Sequence, residues 1–466
     1  MYTILALATT TSAAALHNRT HAHAPSHLAL SVPLPYTHNL TAKTPTLARA
    51  LRAVAASSTN QAHEAHIELT LPADEYAALS DGARRAVQLL DADASAHFVR
   101  RAEVELAAAA IGGAARAPGR ALGDDGLRLP SGRMGGYPTI EEAEAFMAQL
   151  QAAHPTFVSA PIVIGTTVER RAIHAWCLSE DHYGCDGASD RPTVVLTALL
   201  HAREPATLTC VLRIVLELLQ GPVESRSLLA TRKVLVVPIA NPDTYAYNAR
   251  YRPNGGGMAR KNRRRTCSTW AGSERDGVDL NRNWGYKFAY DGEGSSNMGC
   301  AEDYRGPSAF SEPEVTALRD LTLKHRPKII AHWHGWGNDV AMPFSYEWSA
   351  PLPAPTHELF QEYAMEMSVN NGYSSGRAWE SVGYSSNGEA MDWAWGQEKI
   401  VSFTIEVGNP RDSFWPPPSR IVPIAEQSVW PARYLLEAAG AHLQVDQLSI
   451  VEGNVTYGSG QRGRLL

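Results

Sequence analysis

Along the first part of the chain, the clearest period-two alternation is His66-Ile-Glu-Leu-Thr-Leu71, which predicts a strand with one buried face. Apolar residues from Asp74 to Leu90 recur at helical spacing and predict a helix, and His97 to Leu106 reads as a second strand. Residues 62–110 are therefore expected to form a small α+β unit. Before it, residues 17–61 are rich in His, Thr, Ser, Pro and Ala without sustained periodicity, the composition of a leader with little structure. After it, residues 111–133 contain Gly112-Gly113, Pro118-Gly119 and Pro130-Ser-Gly132, and read as an exposed, cuttable linker.

Beyond Tyr137 helical and strand-like segments alternate. Thr139 to His154 predicts a helix, Thr193 to Leu200 a buried strand, Pro205 to Leu219 a helix and Lys233 to Ile239 a strand. Two more strands are expected at Lys328 to His332 and Ile400 to Glu406, and a last helix near Ile424 to Ala439. Uninterrupted apolar strands between helices imply an α/β fold, a mixed, mostly parallel sheet flanked by helices on both faces and preceded by the small α+β domain. Residues 134–440 form the large domain in this reading, and 441–466 a C-terminal tail.

Composition narrows the field only slightly. The 466 residues are 44% hydrophobic, enough for a large core, and a formal net charge of -6 supplies no basic field for nucleic acid. The one dense basic run, Arg260 to Arg265, stands alone. Residues 1–16 are apolar or small and end near Ala13-Ala14-Ala15, so a signal peptide is expected and with it a secreted, extracellular or vacuolar-lumen location. Sequons at Asn18, Asn39 and Asn454 fit that route, and no membrane span is expected. Of the five cysteines, Cys267 and Cys300 are expected to pair in an oxidising compartment, with Cys177 and Cys185 as the second candidate bridge. Cys210 lies in an apolar helical run and reads as a buried small hydrophobe.

Chemistry gathers at strand ends. His201-Ala-Arg-Glu204 follows the predicted strand Thr193 to Leu200, and an H-x-x-E at the carboxyl end of a strand offers an imidazole and a carboxylate where open α/β sheets bind ligands. A later strand ends in Ala331-His332-Trp-His334, offering two histidines on one face, between which spacing does not choose. Two histidines and a glutamate would leave zinc a fourth position for water, and such water is nucleophilic near neutral pH.

From Tyr137 to about Gly440 the chain resembles the carboxypeptidase A/B family of zinc carboxypeptidases. The resemblance is carried by His201-Ala-Arg-Glu204, Asn241-Pro-Asp243, Arg260-Lys-Asn-Arg263, Gly277-Val-Asp-Leu-Asn-Arg-Asn-Trp284, Tyr304-Arg-Gly306, Tyr384, Met391-Asp-Trp393 and Ser402-Phe-Thr-Ile-Glu406. It implies one Zn2+ held by His201, Glu204 and His334, the last preferred over His332 because Pro343 follows it at the family's spacing. It further implies Glu406 as general base, Arg260 polarising the scissile carbonyl, Asn281 and Arg282 clamping the terminal carboxylate, and Tyr384 folding over the substrate. The implied reaction is hydrolysis of the C-terminal peptide bond of peptides and proteins, by a monomer. A catalytically inactive peptide-binding relative is the alternative, and such a chain would usually have lost a ligand or the glutamate.

Two departures bear on specificity. His334-Gly335-Trp336 replaces the family's usual His-Ser-Tyr, and Met391 stands where members specific for basic residues carry an acid. Apolar or aromatic C-termini are therefore expected first. Glu389, two residues earlier, is a carboxylate that could pair with a Lys or Arg side chain. The unit at 62–110 weakly resembles the family's propeptide domain, which implies a zymogen cut by an endoprotease in the linker, where Arg116, Arg120 and Arg128 are candidate sites.

Overall fold

A computed structural model describes residues 27–33, 66–72, 76–79, 84, 87–111, 127–268, 272–381 and 384–440. The expected signal peptide, most of the linker and the C-terminal tail lie outside these residues. The small N-terminal unit comprises strands β1 (His27–Pro33), β2 (His66–Pro72) and β3 (Gln88–Asp91) and helix α1 (Ala94–Ile111). The large domain runs α2 (Ile140–Ala153), β4 (Ile162–Thr166), β5 (Ala172–Leu178), β6 (Thr193–Thr197), α3 (Pro205–Gln220), α4 (Val223–Thr231), β7 (Lys233–Val237) and α5 (Pro242–Tyr251). It continues with α6 (Pro313–His325), β8 (Ile329–Gly335), β9 (Asp339–Met342), α7 (Ala354–Ser368), β10 (Ser374–Arg377), α8 (Ala378–Ser381), α9 (Ala390–Gly396), β11 (Val401–Val407), α10 (Pro418–Gln427) and α11 (Val429–Ala438).

An eight-stranded sheet in the order β10-β9-β11-β8-β6-β7-β5-β4 organises the large domain. Its centre, β11-β8-β6-β7, is parallel, while β5 runs antiparallel to β7, β4 to β5 and β9 to β11. The expected mixed, mostly parallel sheet is thus present. Val194 and Leu196 of β6 enter one apolar core with Phe403 and Ile405, and Val195 enters the core on the opposite face with Leu235 and Ile330. Burial of both faces explains why these strands read as unbroken apolar runs rather than as alternations.

Every residue of α3 is buried, including Arg213 and Glu217. The guanidinium of Arg213 forks onto Glu426 of α10, at 2.8 Å through both Nε and Nη2, and meets Glu217 at 3.1 Å. Helix α2 starts at a reciprocal cap, in which Glu142 N donates to Thr139 Oγ1 and Thr139 N donates to Glu142 Oε2. Among the described residues no single helix is long and apolar enough to cross a membrane.

In the N-terminal unit three expectations need correction. Residues 17–61 are not structureless throughout, because β1 lies among them and is the central strand of a β2-β1-β3 sheet, antiparallel to both neighbours. Its alternating Leu28, Leu30 and Val32 is short and surrounded by polar sequence, which hid it. Residues 74–90 are not one helix: among the described positions, Tyr76 and Ala77 form a helical turn and Gln88–Asp91 is a strand. His97 to Leu106 is helix, not strand. Phe98 and Ala102, four apart, are both buried, an alanine run follows, and Asp93 Oδ1 accepts from Ser95 N at 3.0 Å where the helix begins.

Leu196 is fully buried at the centre of the large sheet. Leu196→Ala is expected to cost about 2–5 kcal/mol of stability, read as a lower midpoint in chemical denaturation at unchanged slope.

Candidate metal centre and active site

Strand β6 delivers the first two groups. The chain turns after Leu200, puts His201 at the mouth of the sheet, and enters α3 through Glu204, with Pro205 as the first helical residue. Thr207 stitches this turn, accepting from Leu199 N at 3.1 Å and donating to Glu204 O at 2.7 Å. Strand β8, beside β6, ends with His334.

His201, Glu204 and His334 converge, each 2% exposed. His201 Nδ1 is 3.1 Å from Glu204 Oε1, His334 Nδ1 is 3.0 Å from His201 Nδ1, and His334 Nδ1 is 3.4 Å from Glu204 Oε2. Four-coordinate zinc with ligands at about 2.0–2.1 Å spaces them about 3.3 Å apart, so this donor set fits a single zinc ion in both chemistry and separation. Burial opposes the Glu204 charge, yet His201 and His334 hold its carboxyl well below the usual range.

The structure distinguishes the two histidines of β8. His332 stands away from this cluster: its Nδ1 lies 2.8 Å from Thr197 Oγ1, its ring packs against Trp284, and burial, then His334, push it down to about 3.

Asp279 supports the cluster from below and was not singled out in the sequence. Fully buried, it accepts from His201 Nε2 and from Arg260 Nη2, at 3.1 and 2.9 Å, and also takes Asn281 N at 2.9 Å. Burial opposes its charge, but Arg260 and then His201 hold it well below the usual carboxylate range. A partner of this kind on the far ring nitrogen fixes the orientation of a metal-binding imidazole. The signal was present in Gly277-Val-Asp-Leu-Asn-Arg, where Asp279 caps the single turn that presents Asn281 and Arg282.

A cleft runs from the cluster, lined by His201, Arg260, Asn281, Arg282, His334, Ala341, Ala378, Tyr384, Glu389, Thr404 and Glu406. Glu406 ends β11 directly across the ladder from His334. Arg260 Nη1 also lies 3.4 Å from Glu204 Oε1. Arg282, 5% exposed, spends Nη1 on Asn281 O at 2.8 Å and Glu389 Oε1 at 3.1 Å. Burial works against its charge, but Asp279 and Glu389 raise its affinity for the proton.

Glu389 is not a solvated loop charge. It is 8% exposed and accepts from Arg282, from Ser345 Oγ at 2.8 Å and from Ser386 Oγ. Met391 is fully buried with Ala341 and Ala378 in a small apolar cluster beside the cleft. Asp339 escaped the sequence reading altogether; it is 2% exposed and faces Glu406 across β9 and β11.

The basic run is largely spent internally. Arg260 meets Asp279, Lys261 Nζ donates to Ala301 O at 2.6 Å, and Arg264 forks onto Glu312. Both expected disulfides are formed, Cys177–Cys185 and Cys267–Cys300, the latter tying this run to the segment before Glu302. Cys210 is free and buried, and burial pushes its thiol up to about 12.

The N-terminal unit reaches the same neighbourhood. Arg203, between His201 and Glu204 in sequence, donates to Glu302 Oε2 at 2.9 Å and to His27 Nε2, at the start of β1, at 3.1 Å, while its guanidinium lies 4.2 Å from the Phe414 ring centroid.

Comparison with known proteins places this geometry. A family profile described as zinc carboxypeptidase matches residues 143–430. Zinc carboxypeptidase A 1 of Anopheles gambiae is 30% identical over 346 residues, 70% of this chain and 75% of that protein. Carboxypeptidase A2 of Mus musculus is 30% identical over 320 residues, 66% of this chain and 71% of that protein. Among solved structures, bovine thrombin-activatable fibrinolysis inhibitor in complex with tick carboxypeptidase inhibitor aligns with a TM-score of 0.55 at 25% identity, over 65% of this chain and 97% of that one. Carboxypeptidase A from Helicoverpa armigera aligns with a TM-score of 0.65 over 90% of this chain and 98% of that one, and at 22% identity it speaks for the fold. Since the matched region spans the ends of β6 and β8 and the strand that carries Glu406, the chain belongs to the zinc carboxypeptidase family and is a zinc metallocarboxypeptidase.

Proposed function

We propose that the protein is a secreted monomer, made as a zymogen, that hydrolyses the last peptide bond of peptides and proteins and releases single C-terminal residues. One observation carries this reading: a cleft lined by the His201, Glu204 and His334 cluster and by Glu406 also holds the buried guanidinium of Arg282. An exopeptidase needs such a cation at a fixed distance from its hydrolytic centre, because the free α-carboxylate is what distinguishes a chain end from an internal bond.

In the proposed reaction Arg282 and Asn281 bind the substrate's terminal carboxylate. Arg282 is pinned through Nη1, which leaves the rest of its guanidinium for that carboxylate. Arg260, oriented by Asp279, faces the scissile carbonyl and stabilises negative charge developing on its oxygen. His201, Glu204 and His334 would hold the zinc, whose chemistry when bound is Lewis-acid polarisation and a lowered pKa for water. Glu406 takes a proton from the attacking water as its oxygen bonds to the carbonyl carbon. It then gives that proton to the amine nitrogen as the C–N bond breaks. Tyr384 closes over the substrate with its phenol as a hydrogen-bond donor.

Ala341, Ala378 and Met391 supply an apolar wall to the side-chain pocket, which favours aliphatic and aromatic residues. Glu389 already has Arg282 and two serine hydroxyls as partners, so basic residues rank second. Extracellular location is supported by the two disulfides and the apolar N-terminus. Zymogen character is supported by the docking of β1 against Arg203 and by the Arg-containing linker that an activating endoprotease could cut.

Activated protein is expected to release Phe and Leu faster than Lys or Arg from blocked dipeptides, and a zinc chelator should abolish release. Glu406→Ala should lower kcat by about a thousandfold with zinc content unchanged; undiminished turnover would remove Glu406 from its role. The zymogen reading predicts that full-length protein hydrolyses these dipeptides at least about tenfold more slowly than a form beginning near Met134, and equal rates would end it.

A further inference from the structure

We infer that the chain carries a second small-molecule site, outside the cleft, that binds a free α-amino acid with an apolar side chain. Three elements build its wall. Ala143, Glu144 and Met147 line it from one face of α2, at the three- and four-residue spacing that brings helical side chains together. His174 and Trp176 line it from β5, where alternate residues share a face, and Pro238, Ile239 and Pro242 close it at the turn from β7 into α5. None of these residues lines the cleft that holds Glu406 and Arg282.

The interior is apolar. Ala143, Met147, Trp176 and Ile239 are all buried, and the fixed φ of two prolines stiffens the third side. The cavity measures about 190 Å³. An apolar cavity of roughly 150 Å³ admits benzene, so one aromatic ring or one branched aliphatic chain fits here.

The mouth carries both signs of charge. Arg171 and Glu144 line the same cavity with side chains 43% and 41% exposed. Arg171 commits Nη1 to Asp243 Oδ1 at 2.8 Å and to Glu169 Oε2 at 2.6 Å, while its Nε and Nη2 make no hydrogen bond among the described residues. Glu144 Oε1 lies 2.7 Å from His174 Nδ1, and Oε2 makes no hydrogen bond there. Asp243 is fully buried and also accepts from Thr167 Oγ1 and Glu169 N, so it anchors the guanidinium from within the fold. An open guanidinium edge beside an apolar chamber suits a carboxylate, and a carboxylate oxygen on the same rim suits an ammonium. An apolar acid or an apolar amine meets only one of the two. An α-amino acid carries both charges on the carbon that bears its side chain. The binding argument takes nothing from the catalytic reading; only the source of the ligand rests on it, since the proposed reaction releases such amino acids.

The test titrates L-phenylalanine, L-leucine and glycine into full-length, zinc-loaded protein labelled with carbon-13 at the methionine methyls, with the Met147 resonance assigned through Met147→Leu. Phenylalanine and leucine should shift the Met147 methyl saturably, with a Kd of about 1 mM or tighter, and glycine should not. Phenylpropanoate, which lacks the ammonium, and phenethylamine, which lacks the carboxylate, should each bind at least about tenfold more weakly, as should phenylalanine to Glu144→Gln or Arg171→Gln. Arg282→Ala should leave the shift unchanged. A Met147 methyl unmoved by phenylalanine at about 10 mM overturns the inference, as does binding of either one-charge analogue as tight as that of phenylalanine. Loss of the shift in Arg282→Ala also overturns it, by placing the ligand in the cleft. If Arg171→Gln does not fold, Glu144→Gln on the exposed rim and the two analogues still decide the matter. Binding is read without turnover, so its failure is separate from failure of the carboxypeptidase reading, which is judged on the wild-type enzyme's release of C-terminal residues.

Discussion

The buried carboxylate of Asp279 is the interaction on which the site depends. A carboxylate with no exposed surface is costly unless its charge is met at close range, and Asp279 meets two cationic or potentially cationic groups and one backbone N–H. Each of those contacts fixes a different part of the site: the imidazole of His201, the guanidinium of Arg260, and the turn that presents Asn281 and Arg282. The distance from the metal cluster to the proposed carboxylate clamp is therefore set through one residue. Removing that carboxylate would leave Arg260 buried without its nearest counter-charge, and it would free the ring of His201 to rotate.

The sheet supplies what Asp279 cannot, a rigid baseline. His201 follows β6, and His334 and Glu406 stand directly opposite each other at the ends of β8 and β11. Adjacent parallel strands with both faces buried cannot slip by one residue without exchanging their core and cleft residues, so the register that buries Phe403 and Ile405 also aims Thr404 and Glu406 into the cleft. Packing energy across the large domain is thereby converted into positional precision at the strand ends, where open α/β sheets place their ligands.

How legible each part was in the sequence follows from the same physics. The strands β6, β7, β8 and β11 announce themselves because burial on two faces demands long apolar runs, and helices α2 and α3 because each carries a sharp start, Thr139 with Glu142 in one and Pro205 in the other. Strands β9 and β10, four residues each, gave no such signal. The same holds for β1, whose pairing partners lie more than thirty residues away in sequence. The metal cluster was legible as two short motifs, but the choice of His334 over His332 needed the family spacing and is visible in the structure as two different environments on one strand. Asp339 was illegible in principle, since its meaning comes from the register of β9 against β11, and nothing near it in sequence reveals what stands opposite.

The docking of the N-terminal unit bears on what cutting the linker would accomplish. Arg101 of α1 donates to the carbonyl oxygens of Arg411, Asp412 and Trp415, Glu105 accepts from Ser419, and Arg252 pairs with Asp93, all on the far side of the linker from the large domain's own chain. Apolar residues of the unit, Leu30, Leu71 and Phe98 among them, belong to the same core as α3 and β11. A cut between residues 111 and 133 breaks none of these contacts. It ends only the covalent tether, and with it the high effective concentration that keeps the unit bound however weak its own affinity. Separation of the unit is then a dissociation step, governed by the same buried apolar surface and guanidinium contacts, the one between Arg203 and His27 among them.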